Sequence, residues 1–257
     1  MNSGPTYSKA DLHIHTANGD GMAEPLQLLD FVEAATDLAV IAITDHDDLR
    51  GALVVQELWA RGRYRFQMVV GEEVTAQEGH LLGLFLTEPL PPLRPLAETI
   101  AAVHRQGGLC VVPHPLSWLT RSIGRRTIEA ILRQPTALVY LDGLELANAT
   151  LAARISRRRA LRLNRDLYHL AEIGGSDAHF LAAVGTAYTL FAGATAEDLR
   201  RCILERSTRA INGRHPGLAQ IGLGQLLRQT WRGLTVTPRT AGLLPTARSF
   251  MKRILRF

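Results

Sequence analysis

The sequence predicts an α/β barrel fold for this chain of 257 residues. Short apolar runs alternate with longer helix-like segments, which is typical of a parallel sheet with crossover helices. No glycine-rich phosphate loop follows the first predicted strand, so a dinucleotide-binding fold is disfavoured. Polar side chains stand repeatedly at the carboxyl ends of the predicted strands, where barrels of this class gather their chemistry. These three observations together favour a barrel.

Apolar, β-branched runs bounded by turn residues predict the strands. Their bounds are Ala10–His15, Leu38–Thr44, Phe66–Thr75, His80–Leu86, Leu109–Pro113, Leu138–Leu146, Glu172–Asp177 and Ala187–Phe191. A short polar turn around Gly79 is expected to join the third and fourth of them. The run LAVIAIT, residues 38–44, is the clearest case, because a strand buried on both faces is apolar throughout.

Helices are predicted between several of these strands. Their bounds are Pro25–Asp37, Pro95–Gln106, Leu151–Glu172 and Thr195–Ser207. Pro25 suits the start of a helix, where its missing amide hydrogen costs nothing. Beyond Asn212 the regular pattern dissolves into glycine, proline and arginine. We therefore expect a barrel over residues 1–212 and a basic C-terminal extension over residues 213–257.

The composition is that of a globular protein, with 46% hydrophobic and 21% charged residues. A net charge of +5 and a sequence pI of 9.7 would suit acidic substrates, nucleic acid or an anionic membrane surface. The sequence starts without the pattern of a secretory signal, and no run reaches the roughly 18 apolar residues of a membrane span. We expect a cytoplasmic protein without a transmembrane segment. Cys110 and Cys202 are expected to be reduced core residues.

The first strand ends in the motif DLHIHT, residues 11–16. His13 and His15 are two positions apart on a strand, so their side chains point the same way and can hold one metal ion. Two satisfied core histidines are the weaker alternative, because adjacent imidazoles in a barrel mouth need a shared partner. Asp20 follows in the turn NGDG, where ordinary turn chemistry is the favoured local interpretation.

The second and third strands are also followed by polar side chains. In TDHD, residues 44–47, His46 is a candidate ligand, and Asp45 or Asp47 could orient an imidazole. In GEEVT, residues 71–75, one of two adjacent carboxylates must face inward. We expect that carboxylate to be Glu73, which could bridge two metal ions where a neutral imidazole cannot.

Later strands complete the set. His80 begins one strand, and His114 lies in PHP after another. The motif GGSDAH supplies Asp177 and His179, with glycines that allow close backbone approach. Each motif alone has low specificity, but nine acidic and imidazole ligands at strand ends predict a multinuclear metal site. The candidate ligands are His13, His15, Asp20, His46, Glu73, His80, His114, Asp177 and His179.

Taken in order, HIH, TDHD, the glutamate after the third strand, PHP and SDAH resemble the polymerase-and-histidinol-phosphatase (PHP) superfamily. The resemblance covers residues 9–212, including EGHLLGLF and DGLELANA. It implies a distorted seven-stranded β/α TIM-like barrel, two to three divalent metal ions and hydrolysis of phosphate esters. One departure is Gly19, where many relatives carry serine before the aspartate.

The resemblance also implies how the ligands divide. One ion would be held by His13, His15, Glu73 and Asp177, a second by Glu73, His80 and His114, and a third by Asp20, His46 and His179. Mixed imidazole and carboxylate ligands suit zinc, manganese or iron. The candidate catalytic residues are Glu73, which would bridge two ions, and Asp177 or Asp45, which would manage protons.

The expected reaction is hydrolysis of a small phosphomonoester, of the nucleotide or sugar phosphate type, by a metal-activated water. No basic–aromatic interleaving surrounds the motifs, so nucleic acid is the less favoured partner. A phosphodiesterase or exonuclease acting on short oligonucleotides is the nearest alternative. An amidohydrolase is disfavoured, because neither Lys9 nor Lys252 ends a strand. A non-catalytic metal-binding regulatory or interaction module is a third alternative. The sequence carries no signal for an oligomeric state.

Some features outside the motifs have simpler explanations. The arginines of Leu151–Glu172 are expected to form a solvated outer face. His104 and His169 are expected to be surface or satisfied histidines. Glu145 and Asn148 are placed near the pocket, although helix capping explains Asn148 equally well. The last residues, SFMKRILRF, could dock on the barrel, bind a partner or lie on an anionic membrane surface, with docking favoured.

Overall fold

The computed structural model describes residues 6–213 and 216–241. The strands in these ranges are β1 (Tyr7–Ile14), β2 (Leu38–Ile43), β3 (Gln67–Ala76), β4 (Gly79–Leu84), β5 (Leu109–Val112), β6 (Gly143–Ala147), β7 (Ala171–Gly174), β8 (Ala187–Ala192) and β9 (Arg209–Asn212). The α-helices are α1 (Pro25–Ala35), α2 (Leu49–Arg61), α3 (Leu96–Arg105), α4 (Arg125–Arg133), α5 (Leu151–Leu163), α6 (Ala196–Leu204), α7 (Leu218–Ile221), α8 (Leu223–Thr235) and α9 (Thr237–Thr240).

The described strands form one nine-stranded sheet in the order β7-β6-β5-β4-β3-β2-β1-β8-β9. The sheet curves into a nearly closed barrel, in which β7 comes close to β8 and β9. The expected α/β barrel class is therefore confirmed, whereas the expected count of seven strands is not. The expectation of a parallel sheet also needs correction. The β3–β4, β4–β5, β1–β8 and β8–β9 pairs are antiparallel.

The antiparallel pairing of β3 with β4 follows from the length of their connection. Only Gln77 and Glu78 separate the two strands, and a parallel pair needs a crossover of a dozen or more residues. Gly79 opens β4 with a φ of +145°, and a side chain there would collide with the backbone of Ile123. The turn around Gly79 was predicted, and its shortness is what makes the pair antiparallel.

Both faces of the central strands are buried. On β2, Val40 and Ala42 pack into a cluster that includes Leu199 and Ile203 of α6. The alternate residues of the same strand, such as Ile41, pack into a second cluster with the outer helices α1, α2 and α3. This burial explains why the LAVIAIT run is apolar throughout.

Two predicted boundaries differ most from the structure. The strand predicted over Leu138–Leu146 begins only at Gly143, where its pairing with β5 starts. The helix predicted over Leu151–Glu172 stops earlier, because the chain leaves helical geometry at His169, which has a φ of 52°. The Asn164 side chain fixes this reversal by hydrogen bonding both the N–H and the C=O of Leu170, each at 3.0 Å.

Several elements were not predicted, namely α2, α4, β9 and the helices after residue 217. Other expectations were confirmed. Cys110 and Cys202 are free and buried, and His104 is satisfied by hydrogen bonds. All the arginines of α5 except Arg157 are exposed to solvent, as expected for an outer face.

The C-terminal extension reaches the barrel mouth through α8. Arg232 donates hydrogen bonds to the carbonyl oxygens of Ala17 and Gly19, at 2.6 and 2.5 Å. Within the described ranges, no helix combines the length and the apolar character that crossing a membrane requires. The segment SFMKRILRF, for which docking was favoured, lies outside the described residues.

Candidate metal centre

All nine predicted metal ligands come together at one end of the barrel, where strands β1, β2, β3, β5, β6 and β7, which run in the same direction, have their carboxyl ends. His13 and Glu73 lie within β1 and β3, and His80 lies at the start of β4. The others follow strands: His15 and Asp20 after β1, His46 after β2, His114 after β5, and Asp177 and His179 after β7. Catalytic groups of barrel enzymes occupy the equivalent end.

The first and last motifs are held side by side by backbone hydrogen bonds. The His15 amide donates to the Ala178 carbonyl at 3.0 Å, and the Ala178 amide donates to the His13 carbonyl at 3.2 Å. The buried Asp11 carboxylate accepts from the Ser176 amide at 2.8 Å and ties the same two segments together. Residues more than 160 positions apart in sequence thus form one wall of the site.

The second and third motifs are joined in the same way. The Glu73 amide donates to the Asp45 carbonyl at 3.2 Å, and the Asp47 amide donates to the Glu73 carbonyl at 3.1 Å. This pairing sets Glu73 beside His46. Asp47 has a left-handed backbone with a φ of 50°, and Asp177, in the last motif, has a φ of 54°. Such conformations are uncommon for residues other than glycine and cluster at functional sites.

Glu73 lies at the centre of the cluster and contacts five imidazoles. Its Oε2 atom lies 3.0 Å from His13 Nε2, 3.3 Å from His15 Nε2 and 3.4 Å from His46 Nδ1. Its Oε1 atom lies 2.9 Å from His80 Nδ1 and 3.1 Å from His114 Nε2. Glu72, its neighbour on β3, points the other way, and its Oε2 atom accepts from the Leu90 amide at 3.2 Å. The inward carboxylate is therefore the one that the sequence favoured.

Two further carboxylates complete the cluster. Asp177 Oδ1 lies 3.4 Å from His15 Nε2, 3.6 Å from His13 Nε2 and 3.6 Å from His179 Nδ1. Asp20 Oδ2 lies 3.3 Å from His179 Nε2. The turn position of Asp20 is thus also a position beside two imidazoles, since Asp20 Oδ1 lies 3.7 Å from His15 Nδ1.

The spacing of these atoms fits divalent metal ions. Two neighbouring ligand atoms that each lie 2.0–2.1 Å from one ion are about 2.8–3.0 Å apart in octahedral geometry and about 3.3–3.4 Å apart in tetrahedral geometry. Several buried atoms in the cluster also have no hydrogen-bond partner among the described residues. They are both ring nitrogens of His15, Asp20 Oδ1 and His46 Nδ1. Buried polar atoms without partners are costly, and an ion between them would satisfy them.

Distances alone group the ligand atoms in three sets. The sets are His15 with Asp20, His46 and His179; His13 with His15 and Asp177; and His46 with Glu73 and His80. His15 and His46 each belong to two sets. The division of ligands among individual ions therefore stays a prediction.

Charge inside the cluster favours metal binding. Burial alone would raise the Glu73 pKa, but the surrounding imidazoles outweigh it and hold that pKa well below its usual range. Burial lowers the pKa of His46 to about 3, so this imidazole is a neutral ligand at pH 7. Burial also acts to lower the pKa of His15, but the nearby Asp177 and Glu73 carboxylates prevail and raise that pKa to about 10. An ion bound at His15 must therefore displace a proton.

Asp45, a predicted catalytic residue, occupies a different environment. Its carboxylate accepts from the Thr16 amide and from the Thr16 hydroxyl, both at 2.6 Å, and burial raises its pKa to about 6. Both oxygens are thus directed to the loop that leads to Asp20. A role for Asp45 in proton transfer stays a prediction, and the geometry favours a role in holding this loop.

Glu145 has a more direct role than the sequence indicated. Its Oε1 atom accepts from His13 Nδ1 at 2.8 Å, and its Oε2 atom accepts from the His114 amide at 2.7 Å and the Asn148 amide group at 2.9 Å. The bond to His13 Nδ1 leaves His13 Nε2 free to face Glu73. Carboxylates commonly orient metal-binding histidines in this way. The signal in the sequence was an acidic residue within an otherwise small and apolar strand, GLELA.

A separate group of His104, Cys110 and Asp142 lies elsewhere in the barrel, and hydrogen bonds already satisfy it. Asp142 Oδ2 accepts from His104 Nε2 at 3.0 Å and from the Cys110 amide at 2.7 Å. His104 Nδ1 donates to the Leu138 carbonyl at 2.9 Å. Because both ring nitrogens have partners, this group has the character of a structural link.

A cavity of about 420 Å³ lies between α1, the segment after His179 and the C-terminal extension, and none of the nine predicted ligands lines it. Met22 and Phe180, close in sequence to two of those ligands, line it together with Phe31 of α1. Glutamines and Arg228 from the C-terminal extension supply its polar side. Cavities of this size and mixed character suit small organic ligands.

Comparisons with known proteins agree with the motifs. A family model described as PHP-associated matches residues 154–208. An uncharacterised protein from Methanocaldococcus jannaschii is 35% identical over 151 residues, which span 55% of this chain and 82% of that protein. This level of identity and coverage places the two chains in one family.

Two solved structures are similar to this chain in fold. A two-domain protein containing a predicted PHP-like metal-dependent phosphoesterase from Bacteroides vulgatus has a TM-score of 0.66 at 21% identity, covering 90% of this chain and 71% of its own. The lesion-specific endonuclease from Pyrococcus furiosus has a TM-score of 0.55 at 16% identity, covering 80% of this chain and 58% of its own. The barrel is therefore a fold that this chain shares with both.

Proposed function

This chain belongs to the polymerase-and-histidinol-phosphatase superfamily, and from that premise we propose that it is a metal-dependent phosphoesterase that hydrolyses a small phosphomonoester. The observation that carries the proposal is the position of Glu73, whose two oxygens lie within 3.4 Å of five imidazole nitrogens. A buried carboxylate surrounded by this many ring nitrogens suits bound cations better than a purely structural network.

We assign metal binding to the nine predicted ligands, with Glu73 shared between two ions. Divalent cations held there would supply Lewis acidity, which makes water a nucleophile at neutral pH and neutralises charge on phosphoryl oxygens. Zinc, manganese and iron all suit these mixed ligands. Glu145 keeps His13 in the orientation that ligation needs, through the bond of 2.8 Å to His13 Nδ1.

The protein's own charges support an anionic substrate. The cluster contains three carboxylates, Asp20, Glu73 and Asp177, against six imidazoles. Two or three divalent cations would outweigh those carboxylates and leave the site positive. The Asp177 side chain is 12% exposed, compared with 1% for Glu73. We therefore assign proton exchange with the substrate to Asp177, and a purely ligating role to Glu73.

The nearby cavity favours a small substrate body. With about 420 Å³, it has room for a sugar or a nucleoside, and its lining residues Met22 and Phe180 are close in sequence to Asp20 and His179. Phe180 and Phe31 offer apolar contact, and Arg228 offers a positive charge. This combination favours a nucleotide or sugar phosphate over an extended polymer.

The central test replaces Glu73 by glutamine. The Glu73→Gln variant should lose bound metal and at least about 100-fold in phosphatase activity, because changes to residues that merely support ligands already cost up to that much. Metal content is measured by elemental analysis of the purified full chain. Activity is measured as phosphate release from a panel of nucleotides and sugar phosphates.

Glu72→Gln is the matched control, since it makes the same chemical change one residue away on the opposite face of β3. Burial raises the Glu72 pKa to about 8, so the side chain is mostly neutral at pH 7 and glutamine resembles it. This variant should keep its metal and its activity. Full metal content and full activity in Glu73→Gln would contradict the site assignment.

A second candidate function is the cleavage of phosphodiesters in short oligonucleotides. The similarity in fold to a lesion-specific endonuclease is the observation in its favour. Turnover of a nucleoside monophosphate compared with a dinucleotide separates the two activities. A chain that binds metal but turns over neither substrate would support the non-catalytic module.

A further inference from the structure

Helix α8 of the C-terminal extension turns its polar side to the barrel and its apolar side to solvent. On the barrel side, Arg232 bonds the Ala17 and Gly19 carbonyls, and Gly233 lies beside Asp20. Amphipathic helices of globular proteins normally have the opposite orientation, with the apolar face against the core. The exposed apolar face of α8 is therefore unusual for a helix of a globular protein.

The outer face forms a continuous apolar stripe. Its members are Leu223, Leu227, Trp231 and Leu234, which are 60%, 63%, 69% and 67% exposed. They follow one another at intervals of three or four residues, so they lie on one side of the helix. Contiguous exposed apolar surface of this kind marks a binding surface. We call these four residues the α8 stripe.

The charged residues of the extension that carries the α8 stripe all have one sign. Residues 213–257 contain eight of the 29 lysines and arginines of the chain and none of its 24 aspartates and glutamates. The remaining residues therefore carry an excess of acid, and the net positive charge of the protein comes from the extension. Arg228 and Arg239 are exposed, and neither pairs with an acidic side chain in the part that the structure describes.

We propose that the α8 stripe docks on an anionic membrane surface, with α8 lying in the plane of the interface. A helix with leucine and tryptophan on one face and arginines beside them is typical of interfacial helices, and anionic lipids attract its cations. The charge of the extension is the complement of such a surface.

The same charge argues against two other occupants. A second copy of this chain would bring two extensions of like charge together, and like charges across an interface are unfavourable. A nucleic acid would attract the arginines but would leave four large apolar side chains exposed. A lipid surface accommodates both the charge and the stripe.

The test uses the full chain and sedimentation with vesicles. Vesicles of phosphatidylcholine with about 30 mol% phosphatidylglycerol should bind roughly tenfold more protein than phosphatidylcholine alone. Binding should weaken when NaCl rises from about 0.1 M to about 1 M, because salt screens the attraction. Vesicle sedimentation does not depend on phosphatase activity, so its result is independent of the proposed function.

Matched variants locate the contact. The double variant Leu227→Glu/Leu234→Glu should lose most vesicle binding, whereas Leu26→Glu/Leu204→Glu should keep it. The control leucines lie on α1 and α6, are both 53% exposed, and receive the same added charge. Because all four leucines are exposed, both variants should fold, and circular dichroism checks this. Vesicles should shift the tryptophan emission to the blue in Trp118→Phe but not in Trp231→Phe.

Three results would overturn the proposal. They are absence of binding to anionic vesicles, equal binding to neutral vesicles, and equal loss of binding in both double variants. A dimer detected by light scattering that only Leu227→Glu/Leu234→Glu disrupts, without vesicle binding, would assign the α8 stripe to a second copy of the chain.

Discussion

At the scale of single residues, the site depends on partners that the motifs do not contain. Glu145 fixes His13 from β6, and Thr16 occupies both oxygens of Asp45. The clustering of these imidazoles and carboxylates could be predicted, because such side chains at strand ends have few other uses. The partners could not, because a buried glutamate in a strand gives no indication of which side chain it contacts.

The role of Glu145 gives a direct prediction. Glu145→Gln should weaken metal affinity by about 10–100-fold, because a neutral amide no longer strengthens the ligating nitrogen of His13. Competition with a chromogenic chelator measures the affinity. Glu57→Gln makes the same change on α2 at a side chain that is 64% exposed, and should have no effect. Equal metal affinities in the two variants would contradict a role for Glu145 in metal binding.

Metal binding should release protons. The pKa of His15 is raised to about 10 in the metal-free protein, so this imidazole is protonated at pH 7 and must become neutral to bind an ion. Affinity should therefore rise with pH between neutral pH and about 10. Calorimetry in two buffers of different ionisation enthalpy counts the released protons. A heat of binding that is the same in both buffers would contradict the assignment of His15.

At the scale of elements, α2 is packed against the site more tightly than its sequence indicated. A side chain at Gly51 would place its Cβ 2.0 Å from Asp45 Oδ2. The absence of a side chain therefore lets the first turn of α2 approach the Asp45–Thr16 pair. A glycine within a helical pattern weakens the prediction of a helix, which is one reason why α2 was not predicted.

Gly51→Ala should destabilise the fold by about 1–3 kcal/mol, as inserting a methyl group into a packed region usually does. Gly224→Ala is the matched control, because Gly224 also lies near the start of a helix and a Cβ there meets nothing within 4 Å. The control should be neutral or stabilising by about 0.4–1 kcal/mol. Urea unfolding measures both, and an equal effect in the two variants would contradict the packing argument.

Other elements differ from the sequence prediction for reasons of pairing. The barrel class and most strands follow from local patterns, whereas the antiparallel pairs β1–β8 and β8–β9 depend on contacts between distant segments. The long helix predicted to Glu172 fails because one side chain, Asn164, closes a turn that hydrophobic periodicity does not register. Hydrophobic periodicity and composition predict which elements exist, but not which contacts end them.

At the scale of the whole molecule, the two ends of the barrel carry different kinds of polar groups. The predicted metal ligands occupy one end, and the His104–Asp142 link lies at the amino-terminal ends of β5 and β6. This division is usual for barrels, in which one end carries chemistry and the other carries stability. Sequence motifs locate the end with the predicted metal ligands well, because those residues lie in short polar motifs at strand ends. The same motifs do not indicate the His104–Asp142 link.

The His104 link should make stability depend on pH. Burial lowers the His104 pKa, but the bonds to Asp142 and the Leu138 carbonyl prevail and raise it above its ordinary value of 6.5. A raised folded-state pKa means that the stabilisation is complete below the unfolded pKa and is lost as pH rises through the folded one.

Urea unfolding at increasing pH tests this link. The free energy of unfolding should fall more steeply with pH in the wild type than in His104→Asn, because the variant lacks the titrating group. His169→Asn, at an exposed position with a φ of 52°, should keep the wild-type slope. Identical slopes in the wild type and His104→Asn would contradict a stabilising charge on His104.

The five contacts of Glu73 have a consequence for how the centre fills. One carboxylate touches imidazoles that come from β1, β4 and the segments after β1, β2 and β5. An ion that drew one Glu73 oxygen towards itself would also fix the position of the other oxygen, which a second ion would need. Occupancy at one position would then affect the neighbouring position without any movement of the barrel. The ions should load cooperatively, as a coupled set.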